Sequence, residues 1–345
     1  MIDSALQTGA KSTGLRHKYS HRIVWPLLVA ALLSVIPAAQ AALSSASPFG
    51  INTHWEFLDY NDAVDVANAR ISWARVDFNW ADIEPTQGVY NWGPFDQMVI
   101  NGNIYNGISI LATVGKTPQW ATDGNAGSGV PRSASYFWNF VYNVVRRYSR
   151  DNGGNFVLAY EMWNEPNLSF DGTYSQYVNL ILEPGAQALR TALQGSPYQQ
   201  SLVVGPAVSD AGSYSRKGTT YLNNVLSANG YNLDAISFHC YGTPSGTRDK
   251  IRSMVNVCVN RGYGSKPRWL TEYGFRSNNP NEGTQAADIN SMNIIMWDQE
   301  RNLSKTFLYD YTDYPGAAPF GITRIDRSHK PAYDTYRNFI INHGW

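Results

Sequence analysis

Residues 161–167 read EMWNEPN and follow a short apolar run, FVLAY, at residues 156–160. Two glycines precede the run, and its aromatic and apolar residues over so few positions are typical of a buried β-strand. Because proline cannot donate a hydrogen bond to a sheet, Pro166 predicts that this strand ends at Glu165. A carboxylate at a strand end, beside the amide of Asn164, is not needed to hold a strand in place. The stretch therefore predicts a chemical role for Glu165.

Residues 1–41 have the pattern of a segment that directs export. Three basic residues between positions 16 and 22 precede an apolar run over residues 23–36, and Ala39–Ala41 matches the small-residue pattern of a cleavage site. The run is shorter than the roughly 20 apolar residues that span a membrane. We predict a cleaved signal peptide over residues 1–41, a mature domain over residues 42–345, and a periplasmic or secreted protein. An uncleaved membrane anchor is the alternative.

The composition restricts the partners of the chain. Lys and Arg total 27, as do Asp and Glu, so the formal net charge is zero. No basic cluster is present, so we expect no nucleic-acid partner, and we expect a monomer without stable membrane insertion. Cys240 ends a predicted strand, whereas Cys258 lies well along a predicted helix, Asp249–Arg261. That spacing does not suit a disulfide, so we predict two buried thiols.

Strand-like and helix-like segments alternate along the mature chain without a linker or repeat. The predicted strands are Phe49–Thr53, Ile71–Val76, Ile108–Val114, Phe156–Glu165, Leu202–Gly205, Ala235–His239, Arg268–Glu272 and Lys305–Tyr309. The clearest helical patterns between and after them are Ser133–Arg150, Ser175–Leu193 and Ala332–Ile341. Near-continuous apolar strands suit a parallel sheet that is covered on both faces. Eight strand–helix units predict a single-domain (β/α)8 TIM barrel. An open doubly wound sheet is the alternative, but no glycine-rich phosphate turn follows the first strand.

Polar and aromatic side chains gather at the predicted strand ends. In a (β/α)8 barrel these ends form one rim, which carries the active site. Tryptophan and tyrosine offer flat faces for the C–H face of a sugar, and amides, carboxylates and imidazoles suit its hydroxyls. The sequence therefore predicts a carbohydrate site. The candidate substrate-binding residues are His54, Trp55, Arg75, Trp120, Asn164, His239, Tyr241 and Tyr311.

Two glutamates could cleave a glycosidic bond at this rim. The reaction uses a pair of carboxyl groups on either side of the anomeric carbon. Glu165 and Glu272 end the fourth and seventh predicted strands, so both are expected at the same mouth. If the two carboxyl groups lie about 5 Å apart, the configuration at the anomeric carbon is retained. If they lie about 6.5–9.5 Å apart, it is inverted. The chain contains no H-E-x-x-H motif and no His/Cys ligand spacing, so we expect neither a metal nor a cofactor.

Several motifs resemble one group of enzymes. Trp163–Asn167 together with the later Thr271–Gly274 resembles the clan of (β/α)8 retaining glycoside hydrolases that use two strand-end glutamates. Further matches are Ile83–Pro85, Gly88–Trp92, Phe95-Asp96, Pro118–Trp120 and Lys330–Tyr333. Together they are most similar to glycoside hydrolase family 39 and its neighbours, including bacterial enzymes that act on exopolysaccharide. The resemblance covers essentially the whole mature chain.

The resemblance implies roles for individual residues. It implies Glu165 as the acid/base, Glu272 as the nucleophile, and Asn164 as a partner of the sugar 2-hydroxyl. Arg75 would keep Glu272 ionised, because an adjacent cation favours the charged form of a carboxylate. The acid/base would need the opposite, a raised pKa, from burial and from its proximity to the nucleophile. Glu161 is expected to be a buried charge that pairs with Arg75 inside the barrel.

The sixth and eighth strands supply the remaining implied contacts. His239 and Tyr241 would line the reacting subsite and orient Glu272. Many relatives place tryptophan at the end of the eighth strand, where this chain offers Tyr309 or Tyr311. The expected function is retaining, endo-acting hydrolysis of a poly- or oligosaccharide, with bacterial exopolysaccharide as a candidate. The alternatives are an exo-acting glycosidase, such as a xylosidase, and a catalytically silent carbohydrate-binding protein.

Overall fold

The computed structural model describes residues 43–198, 200–277 and 281–345. The predicted signal peptide, residues 1–41, lies outside these ranges. Within them, no helix combines the length and the apolar character that crossing a membrane requires.

Eight parallel strands close into a barrel in chain order. They are β1 (Phe49–Thr53), β2 (Trp73–Asn79), β3 (Ser109–Gly115), β4 (Val157–Met162), β5 (Leu202–Ser209), β6 (Ala235–His239), β7 (Arg268–Tyr273) and β8 (Lys305–Leu308). Strands β1 and β8 pair, with Gly50 opposite Phe307, so the sheet has no edge. The predicted (β/α)8 barrel is confirmed, and the open sheet is excluded because its first and last strands would not meet.

Helices surround the barrel. They are α1 (Tyr60–Asn68), α2 (Trp80–Ile83), α3 (Gly93–Val99), α4 (Ala134–Arg146), α5 (Pro166–Ser169), α6 (Tyr174–Tyr177), α7 (Glu183–Leu193), α8 (Gly218–Asn229), α9 (Pro244–Asn260), α10 (Glu282–Asn293) and α11 (Pro331–Asn342). Wider π turns occupy Ile100–Tyr105, Arg147–Asp151, Val178–Leu182 and Ile294–Glu300, and 3₁₀ turns occupy Glu56–Leu58, Gln119–Ala121, Tyr214–Arg216 and Gly230–Asn232. The helical pattern 175–193, which the sequence predicts to be interrupted by Pro184, consists of α6, the π turn Val178–Leu182 and α7, with Pro184 in the first turn of α7.

Helix α4 shows how the sequence forms this outer layer. Ser133 accepts a hydrogen bond from the N–H of Ser135 and so begins the helix. Apolar residues then recur at helical spacing and form one buried stripe. The stripe comprises Phe137, Phe140, Val141, Val144 and Val145. Because this helix is amphipathic, its apolar face covers the barrel while its other face remains accessible to water.

The barrel interior changes from apolar to charged along the strand direction. Its lower layer contains Trp73, Leu111, Ala159, Val204, Ala235, Trp269 and Phe307. Successive side chains of a strand alternate between its two faces, so residues two positions later point inward again. On β2 and β4 those next inward residues are Arg75 and Glu161, which lie 2.7 Å apart. The alternation therefore places a buried charged layer directly beneath the C-terminal rim.

The fourth strand ends earlier than the sequence predicts. Strand β4 ends at Met162, and Trp163 and Glu165 then adopt left-handed backbone conformations, with φ of 78° and 48°. The N–H of Glu165 donates to the carbonyl of Ala207, and Pro166 is the first residue of α5. The prediction that Glu165 ends a strand stopped by Pro166 is therefore wrong: proline is favourable at the first position of a helix. Glu165 instead lies in the sharp turn between β4 and α5.

The two cysteines do not pair. Cys240 and Cys258 are both buried free thiols, as predicted. Burial raises the pKa of each thiol above its ordinary value, which keeps both protonated and unreactive.

Candidate active site

A cleft of about 310 Å³ opens at the C-terminal ends of the strands. Five of the predicted site residues line it: His54, Arg75, Asn164, Glu165 and Glu272. Tyr309, one of the two tyrosines that the sequence offered after the eighth strand, also lines it, and lining residues that were not among the candidates include Asp77, Asn79, Lys116 and Trp163. The cleft lies directly above the buried charged layer, so side chains from several strands converge on it.

Glu165 and Glu272 meet in this cleft. One carboxylate oxygen of each, together with a ring nitrogen of His239, lies within 4.8 Å of the others. The side chain of Glu165 is 22% exposed, and that of Glu272 is 10% exposed. Both carboxylates are therefore accessible from the cleft. One oxygen of Glu165 thus lies no more than 4.8 Å from one oxygen of Glu272, an approach compatible with the roughly 5 Å between carboxyl groups that accompanies retention.

Arg75 links the charged groups beneath the cleft. Its Nε donates to Glu161 and its Nη1 to Glu272, each at 2.7 Å, and its Nη2 donates to Asn164 Oδ1 at 2.7 Å. The predicted pair between Glu161 and Arg75 is therefore confirmed. Burial opposes charge on both partners, yet Arg75 lowers the pKa of Glu161, and Glu161 with Glu272 raises the pKa of Arg75. Its Nη1 also donates to Asn52 Oδ1 at 2.9 Å, so the guanidinium stays charged and holds two carboxylates and two amides in fixed positions.

Two donors fix the orientation of Glu272. Oε1 accepts from Arg75 Nη1 and Oε2 accepts from the Tyr241 hydroxyl, both at 2.7 Å. Burial, and then the charge of Glu272, raises the pKa of Tyr241 well above its ordinary value, so the hydroxyl keeps its proton and donates it. The Oδ1 of Asn164 faces Arg75, and among the residues that the structure describes none accepts a hydrogen bond from the amide NH₂ of Asn164, which can therefore donate to a bound molecule.

His239 lies beneath Glu165, fully buried. Its Nδ1 is 3.0 Å from Glu165 Oε1 and 3.5 Å from Glu272 Oε2, and its Nε2 is 3.1 Å from Thr271 Oγ1. Burial lowers the pKa of His239, but Glu272 and the hydrogen bond to Glu165 together raise it above the ordinary value. The imidazole therefore contacts Glu165 more closely than Glu272, although the resemblance implies that it orients Glu272.

The pKa of Glu165 departs from the expectation. Burial raises it, but the hydrogen bond and the charge of His239 outweigh burial, and the pKa of Glu165 lies below its ordinary value. The predicted raised pKa is therefore wrong for this structure. The pKa is lowered because the buried imidazole of His239, whose Nδ1 lies 3.0 Å from Glu165 Oε1, favours the ionised form of the Glu165 carboxylate.

A second ion pair forms one wall of the cleft. His54 Nδ1 lies 2.8 Å from Asp77 Oδ2. Burial opposes the charge of His54, yet Asp77 raises its pKa to about 9, and His54 in turn lowers the pKa of Asp77 despite burial. Tyr309 lies edge-on to His54, with ring centroids 5.8 Å apart. Asp77 could have been found from the sequence, because it follows Arg75 by two residues on the same face of β2.

Tyr311 does not reach the cleft. It is 1% exposed, and its hydroxyl donates to Asp62 and Asp65 on α1, at 3.2 and 3.1 Å. Its predicted contact with substrate is therefore wrong, because the side chain points outward from the barrel to the helix layer. Tyr309 lines the cleft instead.

Two predicted tryptophans also lie outside the cleft lining. The indole of Trp120 donates to the carbonyl of Glu84 at 2.8 Å and packs edge-on against Trp80. Trp55 is 38% exposed and lies edge-on to Phe95. Trp120 thus stabilises the loops behind the cleft, whereas Trp55 offers an exposed ring on the rim.

Glu165, His239 and Glu272 carry donor atoms close enough together to hold a cation. Each of these side chains, however, already has a protein partner: Arg75 and Tyr241 contact Glu272, and His239 contacts Glu165. These contacts hold the three side chains in place at the floor of the cleft.

Comparisons with known proteins agree with this geometry. The family model "Glycosyl hydrolase catalytic core" matches residues 59–314. No curated protein is significantly similar to the chain in sequence.

Solved structures with a similar fold include three glycosidases. A family 39 glycoside hydrolase from the gut symbiont Bacteroides cellulosilyticus is 20% identical, with a TM-score of 0.67, and the match covers 88% of this chain and 65% of that one. A family 39 enzyme from Xanthomonas axonopodis pv. citri is 18% identical, with a TM-score of 0.68, over 87% and 67% of the two chains. A monomeric β-xylosidase from Caulobacter crescentus is 16% identical, with a TM-score of 0.65, over 87% and 69%. The chain thus spans less than two thirds of the Bacteroides enzyme, and at these identities the likeness is one of fold.

Proposed function

The chain belongs to the glycosyl hydrolase catalytic core family, and from this premise we propose that it is a retaining glycoside hydrolase. Glu165 is the acid/base and Glu272 is the nucleophile. The observation that carries this proposal is the approach of their carboxylate oxygens to within 4.8 Å at the cleft. That distance fits a single sugar ring between them and a double displacement.

In the first step Glu272 attacks the anomeric carbon. A bond forms between a Glu272 oxygen and that carbon, the glycosidic C–O bond breaks, and the leaving oxygen takes a proton from Glu165. Arg75 and Tyr241 support this step because each donates to one oxygen of Glu272 at 2.7 Å and so holds the carboxylate plane in place. The products are a glycosyl ester on Glu272 and the released aglycone.

In the second step water cleaves the ester. Glu165, now ionised, takes a proton from the water as its oxygen attacks the anomeric carbon, and Glu272 leaves as a carboxylate. The lowered pKa of Glu165 suits this step. For the first step the proton must be on Glu165, and His239 is placed to return it across their 3.0 Å contact. The two side chains can thus exchange one proton across this contact.

Substrate hydroxyls are recognised by the remaining cleft residues. The free amide NH₂ of Asn164 is directed at the 2-hydroxyl of the sugar next to Glu272. The charged pair of His54 and Asp77 offers a donor and an acceptor at the opposite wall, and Tyr309 offers an aromatic edge. This combination favours a polyhydroxylated ring with one apolar face.

We propose endo action on a poly- or oligosaccharide, with bacterial exopolysaccharide as a candidate substrate. Exposed aromatic side chains on the rim support this: Trp55 follows β1, Tyr174 lies after β4, and Tyr214, 93% exposed, lies after β5. These aromatic rings offer stacking surfaces for sugars beyond the one that reacts in the cleft. Product analysis tests the mode, because endo action releases oligosaccharides of mixed length, whereas an exo-acting glycosidase such as a xylosidase releases one sugar at a time.

Replacement of each glutamate tests the assignment. We expect Glu272→Gly to lower hydrolysis of aryl glycosides by at least about 10³-fold, because no nucleophile remains. Azide should partly restore turnover of a glycoside with a good leaving group, since a small anion fits the space of the lost side chain. Glu183→Gln, on α7, is the matched control. Normal hydrolysis by Glu272→Gly would contradict the nucleophile assignment, and sugar binding without turnover by the wild-type protein would indicate a silent binding protein.

We also propose that the enzyme acts outside the cytoplasm. The support is the sequence pattern of residues 1–41 alone. Mass spectrometry of the protein produced in a bacterial host tests it: we expect a chain that begins at Ala42 in the exported fraction, whereas a full-length chain in the membrane fraction would indicate the uncleaved anchor.

A further inference from the structure

A second hollow, of about 550 Å³, adjoins the catalytic cleft on the same rim. We call it the side hollow; it is formed by the loops after β6, β7 and β8 and by α10. Tyr241 connects the two spaces, because the residue lines the side hollow while its hydroxyl donates to Glu272, which lines the cleft, at 2.7 Å. Phe320 forms another wall and lies edge-on to Tyr309 of the cleft, with centroids 5.6 Å apart. The side hollow therefore begins one side chain away from the nucleophile.

Two charged side chains line the side hollow without pairing with each other. Arg276 is exposed, and its guanidinium lies 5.3 Å from the centroid of the Phe320 ring. Asp288, on α10, is half-buried, and burial raises its pKa. Within residues 43–198, 200–277 and 281–345, no group accepts a hydrogen bond from Arg276, and Asp288 has no hydrogen-bond or ion-pair partner. Both side chains are therefore available to a bound molecule.

Starting from the proposed glycosidase function, we propose that the side hollow is a subsite for a uronic acid, so that the substrate is an acidic polysaccharide. The sugar carboxylate binds the guanidinium of Arg276, a hydroxyl donates to Asp288, and the apolar edge of the ring lies against Tyr241 and Phe320. The uronic acid is the residue or branch next to the sugar that reacts with Glu272.

Charge and geometry favour a uronic acid over other ligands. A guanidinium matches a carboxylate with two parallel hydrogen bonds, which are about twice as strong as those between neutral groups. The guanidinium of Arg276 already makes a cation–π contact with Phe320, which favours its position at the wall of the side hollow. A phosphate monoester would bring more negative charge beside Asp288, whereas a single carboxylate on a ring of hydroxyls satisfies both side chains.

Ligand-observed NMR titration of the full chain with free monosaccharides tests the subsite. The probes are D-glucuronate and D-galacturonate, each compared with D-glucose and D-galactose. We expect the uronates to bind at least about tenfold more tightly than the neutral sugars, and to weaken as salt is added. Arg276→Gln should remove the preference and Arg276→Lys should keep part of it. Arg252→Gln, at a surface arginine paired with Glu300, is the matched control.

Two outcomes would overturn the proposal. One is equal binding of uronates and neutral sugars by the wild-type protein. The other is a preference that survives Arg276→Gln but is lost in Lys116→Gln, because the acid would then bind in the cleft. Glu272→Gln separates this proposal from the proposed function: it should lose hydrolysis and keep the preference for uronates. Hydrolysis without any preference for uronates rejects the subsite alone, whereas that preference without hydrolysis by the wild-type protein rejects the glycosidase.

Discussion

The Nδ1 of His239 lies 3.0 Å from the Oε1 of Glu165, beneath the carboxylate that faces the cleft. The imidazole is also surrounded by the charges of Glu272, Arg75 and Glu161. In this arrangement the pKa of His239 is raised and that of Glu165 is lowered. His239 and Glu165 therefore share the proton that catalysis requires, and the pKa of the imidazole sets the pH at which that proton is lost.

The first prediction concerns the pH dependence of activity. Below the raised pKa of His239 the pair holds its proton and the enzyme is active, and above it the proton and the activity are lost. The alkaline limb of kcat/KM should therefore lie above the ordinary histidine value of about 6.5. In His239→Gln only the carboxyl of Glu165 remains, and burial raises its pKa once the imidazole is gone, so the limb should move down but stay above the ordinary glutamate value of about 4.3. His343→Gln, near the chain end, is the control, and an unchanged limb in His239→Gln would contradict the shared proton.

The second prediction concerns the buried charge network. Arg75→Met leaves Glu161 buried and unpaired, which should lower the free energy of unfolding by about 3–5 kcal/mol. The double variant Arg75→Met/Glu161→Gln should recover part of that loss, because position 161 then carries no unpaired buried charge. Urea denaturation at pH 7 measures both. Equal stability of the single variant and the wild-type protein would show that Arg75 is not needed to hold Glu161.

The third prediction concerns the orientation of the nucleophile. Tyr241→Phe removes the donor to Glu272 Oε2 and keeps the ring. A hydrogen bond to a charged group contributes about 1.5–3 kcal/mol, so we expect kcat to fall about 10- to 100-fold. Steady-state kinetics on an activated glycoside measures the effect. Tyr214→Phe, at an exposed tyrosine, should leave kcat unchanged, and the same result for Tyr241→Phe would reject the orienting role.

The fourth prediction concerns the wall formed by His54 and Asp77. In the wild-type enzyme the pKa of His54 is about 9, so the imidazole stays charged from pH 6 to 8 and KM should be constant there. Asp77→Asn removes the carboxylate that raises this pKa, which should return toward about 6.5. KM of that variant should then change as pH rises through 6.5. A flat KM profile for Asp77→Asn would show that substrate does not contact the charged form of His54.

The fifth prediction separates the two tyrosines after β8. Tyr309→Ala should raise KM because Tyr309 lines the cleft. Tyr311→Phe should leave KM unchanged but lower the free energy of unfolding by about 1 kcal/mol, since its hydroxyl donates to Asp62 and Asp65. Kinetics and urea denaturation of both variants measure the two effects. A raised KM for Tyr311→Phe together with an unchanged KM for Tyr309→Ala would show that Tyr311, and not Tyr309, contacts the substrate.

The barrel and its two glutamates could be predicted from the sequence. Apolar runs of strand length alternate with helical stripes eight times, and local periodicity alone determines that pattern. Parallel strands of a barrel end at one rim, so Glu165 and Glu272 had to lie near each other wherever the exact strand ends fell. The pair between Arg75 and Glu161 was predictable for a similar reason, because the inward faces of strands enclose any charge they carry.

Only the tertiary structure decided how the side chains beyond the strand ends are directed. Trp163 and Glu165 adopt left-handed conformations that bring Glu165 over His239, and this contact reverses the expected shift of its pKa. Tyr309 points into the cleft whereas Tyr311 points to α1. Once a chain leaves the regular strand, the two-residue alternation no longer applies. The direction of each side chain then depends on contacts between residues far apart in sequence, which local patterns do not encode.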